Sequence, residues 1–188
     1  MKVALVGVGA VGSFFFDLAR NTPGVEWTLV DGDKVETKNL AAQAFRPASV
    51  GRNKAEAAAL VAKTEWRIPV TARPVMLTEN NGVTLLSGHD LVVDCTDNPK
   101  ARHLIMHICE GLTIPSVHCG IDANGSLGVI RWRENFHPED GGEGAHTCED
   151  ATNRPHHALA AAALAKVVLF FVKDGRKREA TIGGIHIQ

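Results

Sequence analysis

Short apolar runs alternate along this chain with segments of helical spacing. "KVALVG" (2–7) is an apolar run that enters glycines, and "VGSFFFDLARN" follows with Phe15, Leu18 and Ala19 spaced for one helix face. "VEWTLVDGD" (25–33) predicts a second strand, and "VGRNKAEAAALVAKTE" (50–65) is rich in helix formers. "PVTARPVML" (69–77) reads as extended. "HDLVVDCTDN" (89–98) is a continuous apolar strand ending in polar residues, the pattern of a parallel strand covered on both faces. "PKARHLIMHICEGL" (99–112) then predicts a helix and "IPSVHCGI" (114–121) a strand. This alternation predicts an α/β fold: a doubly wound, Rossmann-like, mostly parallel sheet with helices on both faces. Its ligand crevice should lie at the carboxyl ends of the strands.

The rhythm then changes. "GSLGVIRWR" (125–133) reads as a further strand, and "ENFHPEDGGEGAHTCEDATNRP" (134–155) as a long polar loop. Loops of that length are usually functional or disordered. "HHALAAAALAKVVLFFVKDG" (156–175) predicts a helix ending at Gly175, and "EATIGGIHIQ" (179–188) a last, edge strand.

With 188 residues and no run rich in Pro, Gly or Ser, one domain over 1–188 is expected. Lys and Arg total 20 against 21 Asp and Glu, so no global field attracts nucleic acid. No apolar run is read as reaching the roughly 18 residues of a membrane span. The segment after Met1 enters a strand instead of a signal peptide. Neither a nucleic-acid nor a membrane partner is expected, and the cytoplasm is the expected location. Cys95, Cys109, Cys119 and Cys148 contain no Cys-x-x-Cys pair, so no zinc is expected. Cys95 and Cys119 lie in apolar strands and read as core.

The candidate chemistry begins at "GVGAVGS", which places Gly7, Gly9 and Gly12 as Gly-x-Gly-x-x-Gly between the first strand and first helix. Glycine there permits a tight turn, and amides at the helix start can hold phosphate. Asp31 follows at about the 20-residue spacing at which an acid bonds a ribose hydroxyl. A NAD-dependent dehydrogenase would carry the same features, so the loop alone does not name the nucleotide.

Three further stretches carry a resemblance. "DGDKVETKNLAAQ" (31–43) resembles the Asp-x-Asp-x-Val-x-x-x-Asn-Leu-x-Arg-Gln signature of the ThiF/MoeB family, bacterial relatives of ubiquitin-activating enzymes. "FRPASVGRNKAEA" (45–57) is similar to its Phe-Arg-Pro-x-x-Val-Gly-x-x-Lys-Ala segment, and "VVDCTDNPKAR" (92–102) to its Asp-Cys-Thr-Asp-Asn-x-x-x-Arg segment. With the glycine loop, these cover residues 3 to about 120 in order. The resemblance implies ATP-dependent adenylation of the C-terminal carboxylate of a small ubiquitin-like or sulfur-carrier protein. It implies that Asp31 binds ribose, Asn39 and Gln43 line the phosphate site, Lys54 contacts phosphate, Asp97 holds Mg2+ and Asp33 supports the same polar site. It also implies paired subunits, and the Ala-rich last helix offers a closely packable face for a homodimer.

The chain departs from the family pattern in places. Ala42 stands where the family has an arginine that contacts the triphosphate, and Arg46 and Arg52 are the nearby candidates to replace it. The chain begins at the first strand, without the helical segment from which family members often give an arginine to the partner subunit. Cys148 matches the place where some members carry a cysteine that forms a thioester or persulfide, and His146 or the nearby helix start could lower its pKa. An unreactive loop cysteine is the alternative. A metal site from His146, Cys148, His156 and His157 is the weaker one, because that spacing fits no standard pattern. Lys54, Asp97, Cys148 and Arg46 thus form the expected catalytic set. The competing functions are a non-catalytic ThiF-like subunit and an NAD-dependent oxidoreductase, although Asp33, Asn39, Gln43, Lys54 and Asp97 have no role in hydride transfer.

Overall fold

The structure is a computed structural model that describes residues 1–122, 127–138 and 150–183. A seven-stranded sheet runs in the order β3-β2-β1-β4-β5-β6-β7. The strands are β1 (Lys2–Val6), β2 (Glu26–Val30), β3 (Val70–Arg73), β4 (Leu91–Asp94), β5 (Ser116–Ile121), β6 (Leu127–Trp132) and β7 (Ala180–Gly183). β3, β2, β1, β4 and β5 pair in parallel, whereas β6 and β7 join antiparallel, with β7 at the edge. The Rossmann-like fold expected from the sequence is therefore the fold observed.

The helices are α1 (Ala10–Ala19), α2 (Lys54–Glu65), α3 (Gly82–Leu86), α4 (Pro99–Gly111) and α5 (Arg154–Asp174). Alternate strand residues divide the core between two faces, because successive side chains of a strand point to opposite sides. Val3, Leu5, Trp27, Leu29, Leu91 and Val93 join α1, α2 and α5. Ala4, Val6, Val30 and Val92 join Leu86 of α3 and Ile105 and Ile108 of α4. α3 has too few turns to leave a periodic signal in the sequence.

Three expectations change. Leu18 does not face the core: it is exposed, and Phe16 is buried beside Phe15, both packed edge-on against Trp27 at 5.8 Å. The segment Ala151–Asp174 is long and apolar enough to cross a membrane by composition, with a mean hydropathy of 1.6, contrary to the reading of the sequence. Its Ala160, Ala161, Leu164 and Val168 are nonetheless buried in the core, so α5 packs on the sheet and along α1. The Ala-rich face expected to meet a second copy is consequently spent within the chain, where small residues bring α5 close to α1. α5 ends at Gly175, whose φ of 71° is left-handed, as expected of a glycine at that position.

Candidate active site

β1 and β4 lie side by side, but their following helices pack on opposite faces of the sheet, which opens a crevice at the carboxyl ends of the strands. The glycine loop forms one wall of a cleft there. Gly7 has a φ of +85°, and a Cβ on it would lie 2.8 Å from the Cys95 carbonyl group. Gly12 lies behind the wall, where only a hydrogen fits against the Gly7 carbonyl oxygen. Gly9, Ala10 and Val11 line the cleft, and no side chain caps α1. The first amides of a helix have no partners within it, so this end suits an anion.

The loop after β2 contributes the acids. Asp31 accepts from the Val8 amide at 2.7 Å and from the Asp33 amide at 2.8 Å, which ties it to the glycine loop. Burial pushes its carboxyl pKa up, against the opposing pull of those two amides and of Lys54. Gly32 lines the cleft between the acids, and a Cβ there would come within 2.4 Å of Met76. Lys54 joins the acids from α2. It is buried at the first position of α2 and its Nζ donates to Asp33 Oδ2 at 3.0 Å. Asn53 caps α2 and donates to the carbonyls of Asp31 and Asp33 at 2.8 and 2.9 Å, so one residue fixes both the helix and the acidic loop.

The loop after β4 faces the glycine loop. Asp94 accepts from the Thr96 amide and hydroxyl at 2.8 and 2.7 Å, and also bonds His118 Nδ1 at 2.8 Å. His118 Nε2 meets Ser116 Oγ at 2.9 Å, and the ring stacks on Phe136. This buried network holds the turn that presents Asp97, which is exposed at the cleft rim. Asn98 caps α4 by accepting from the Ala101 amide, and Arg102 of α4 donates to the Thr96 carbonyl at 3.2 Å.

The cleft therefore gathers Gly7, Gly9, Asp31, Asp33, Gln43, Lys54 and Asp97 from elements far apart in sequence. Other expected residues fall elsewhere. Asn39 is buried at its own 3-10 turn (Thr37–Ala41), where its Oδ1 accepts from the Glu36 amide at 2.9 Å, so this oxygen serves a local cap. It does not line the cleft. Arg46 forms a two-pronged ion pair with Glu65 of α2 on the exposed surface, and neither it nor Arg52 lines the cleft. Cys95 and Cys119 are not merely core: both line the cleft floor, and burial raises both thiol pKa values, that of Cys119 to about 12. Cys148 and His146 lie outside the described residues. Among the described residues no group of three or more His, Cys, Asp or Glu is arranged to hold a metal.

Sequence reasoning missed two contributors and named a third, His157, only within a weak metal candidate. Met76 and its neighbours Val75 and Leu77 give the cleft an apolar flank. Arg154 at the start of α5 donates to the carbonyls of Leu40, Ala41 and Gln43, anchoring the segment that carries Gln43. His157, in the first turn of α5, also lines the cleft. Arg102 was legible as the last residue of its motif; the other contacts depend on the fold and left no local signal.

Burial holds the His157 imidazole below its ordinary pKa of 6.5, more strongly than its bond to the Ala42 backbone raises it. The unfolded chain thus takes up a proton that the folded one refuses, and stability is lost as pH falls from about 6.5 through the lowered folded value. The melting temperature of His157→Gln is expected to fall less between pH 7.5 and 5.5 than that of the unmodified protein. Equal falls would show that another group governs the acid limb.

Fold and cleft together define a Rossmann-like α/β protein whose crevice suits a phosphate-bearing ligand. The chain belongs to the ThiF family, whose sequence profile matches residues 1–171. It is 33% identical over 133 residues to the adenylyltransferase and sulfurtransferase UBA4 of Yarrowia lipolytica, covering 70% of this chain and 34% of that protein. It is 31% identical over 137 residues to the molybdopterin-synthase adenylyltransferase of Salmonella typhimurium, covering 71% and 55%. The chain thus spans about a third of the fungal relative and about half of the bacterial one. Among solved structures, E. coli MccB with ATP superimposes with a TM-score of 0.78 at 19% identity, covering 100% of this chain and 61% of that one. That likeness shows the fold alone.

Proposed function

We propose that this chain uses ATP to adenylate the C-terminal carboxylate of a small ubiquitin-like or sulfur-carrier protein. The observation that carries this reading is the joint presence of Asp33, Gln43, Lys54 and Asp97 in the cleft of the glycine loop, since a hydride-transfer site needs none of them. The adenylyltransferase names of its ThiF-family relatives support it.

In the proposed step a carboxylate oxygen attacks the α-phosphorus. One O–P bond forms, the α–β bridging P–O bond breaks, and pyrophosphate leaves with its electron pair. The first amides of α1 and the ammonium of Lys54 stabilise the phosphate oxygens, and Asp31 orients the ribose. Lys54 sits ready because its stem is buried and its charge is held on Asp33. Asp97 fits Mg2+: magnesium is usually bound by one or two carboxylates plus substrate phosphates and water, and an exposed carboxylate at the cleft rim offers that coordination. When bound, the ion would offset charge on the phosphates. Attack of the Cys148 thiolate on the acyl adenylate, forming a thioester as AMP leaves, or attack by a terminal sulfur loaded on Cys148 as a persulfide by a separate sulfur donor, belongs to the same proposal, as does a homodimer located in the cytoplasm.

The direct test is ATP–pyrophosphate exchange with a purified sulfur-carrier protein ending in Gly-Gly. Exchange that depends on the carrier supports the reading. ATP binding without exchange would favour the alternative of a non-catalytic ThiF-like subunit, to which the engagement of Arg46 by Glu65 outside the cleft points. Mg-ATP at 100 times its Kd is expected to stabilise the protein by about 2.7 kcal/mol, whereas NAD should give no shift in melting temperature. Stabilisation by NAD alone would instead indicate an oxidoreductase. Light scattering is expected to give twice the mass of one chain, and a monomer at all concentrations would remove the dimer.

A further inference from the structure

α5 reaches the cleft through its first turn, and His157 is the side chain by which it does so. The imidazole is 1% exposed. It bonds the Ala42 carbonyl, while Nδ1 has no hydrogen-bond partner among the described residues. Nε2 is therefore the nitrogen that donates to Ala42, and in the neutral ring Nδ1 is left as a bare acceptor. A buried ring nitrogen without a partner is costly, and a group entering the cleft would complete it.

The surroundings indicate what enters. The uncapped amides of α1, the Lys54 ammonium and the positive end of the α5 dipole all favour negative charge along this wall. We propose that His157 is a phosphate contact of the cleft, donating from Nδ1 to a phosphate oxygen while Nε2–H stays on the Ala42 carbonyl. The inference rests on the nucleotide reading above and extends it to a residue outside the motifs of the sequence.

One consequence is linkage to protons. Burial favours the neutral ring, so the proton on Nδ1 arrives from solvent as the polyphosphate binds. Asp31, Asp33, Lys54, Asp97 and Arg102 are the charged groups that share the cleft with His157. Cys95 and Cys119 share it too, with thiol pKa values raised far above neutrality. On α5 itself Arg154 and His156 flank His157, and α1, which packs along α5, carries Asp17 two turns beyond its start.

Calorimetric titration with Mg-ATP at pH 7, in two buffers of different ionisation enthalpy, measures the protons taken up per nucleotide. The unmodified protein should take up more than His157→Gln, with a difference approaching one proton; comparing the two variants cancels the titration of ATP itself. His157→Ala should weaken binding by about tenfold or more, as expected for a lost bond to a charged group. In the unmodified protein labelled at histidine, the His157 ring nitrogens should move to imidazolium shifts when Mg-ATP is added, a readout that does not depend on a variant folding well. Equal proton counts and equal Kd values, or a ring that stays neutral with ATP bound, overturn this assignment and leave the nucleotide reading standing. Absence of ATP binding by the unmodified protein overturns both.

Discussion

Asp97→Ala is expected to abolish carrier-dependent pyrophosphate exchange while leaving the fold intact. Asp97 is exposed, and the turn that presents it is held by other groups: Asp94 through the Thr96 amide and hydroxyl, Arg102 through the Thr96 carbonyl, and Asn98 through the α4 cap. Truncating an exposed side chain away from such features usually changes stability by no more than about 0.5 kcal/mol. The loss in rate should be much larger. Losing the cation that Asp97 would hold against the reacting phosphates costs on the order of 100-fold or more, roughly 3 kcal/mol of barrier. Cys148→Ala provides the contrast. A cysteine that only receives the acyl group, or supplies sulfur to it, can be lost without slowing exchange, while the thiol-sensitive covalent adduct with the carrier disappears. Retained exchange in Asp97→Ala would remove the residue from the proposed chemistry. Lost exchange in Cys148→Ala, with circular dichroism unchanged, would put that cysteine in the nucleotide site.

Gly12→Ala should have the largest effect on stability. A Cβ at Gly12 would lie 2.0 Å from the Gly7 carbonyl oxygen and 3.0 Å from its carbon, and backbone atoms of β1's own turn cannot step aside as a flexible side chain could. α1 would have to lift from the sheet, pulling Phe15 and Phe16 off Trp27. A loss of about 4 kcal/mol is expected, at the severe end for single substitutions. For a chain of this size that corresponds to a fall in melting temperature of roughly 10 °C. Gly9→Ala gives the control from the same motif. Its Cβ would meet nothing within 4 Å, so the fold should survive, but the methyl would stand in the cleft and weaken Mg-ATP binding. If the two substitutions lowered the melting temperature equally, the close approach of α1 to β1 would not be what fixes Gly12.

The sequence by itself determined the order of the strands and of the four longer helices. Apolar runs such as "LVVD" leave four consecutive positions buried in β4, a pattern that only a strand covered on both faces explains. It also determined the glycine loop and the acids behind it, because tight turns and phosphate approach restrict residue type locally. What it left open were properties of approach between distant segments. Asn39 and Arg46 had the right chemistry in the right motif, yet Asn39 turned inward to cap its own 3-10 turn and Arg46 found Glu65 on the next helix. The motif marked Lys54 as a phosphate contact, but its burial against Asp33 depends on where α2 starts relative to the loop after β2. His157 drew notice only as part of a weak metal candidate, and nothing local placed it at the cleft. Its place in the cleft follows from α5 packing along α1, across more than a hundred residues of intervening chain, and only tertiary structure sets which nitrogen of a buried ring is bonded and which is left without a partner.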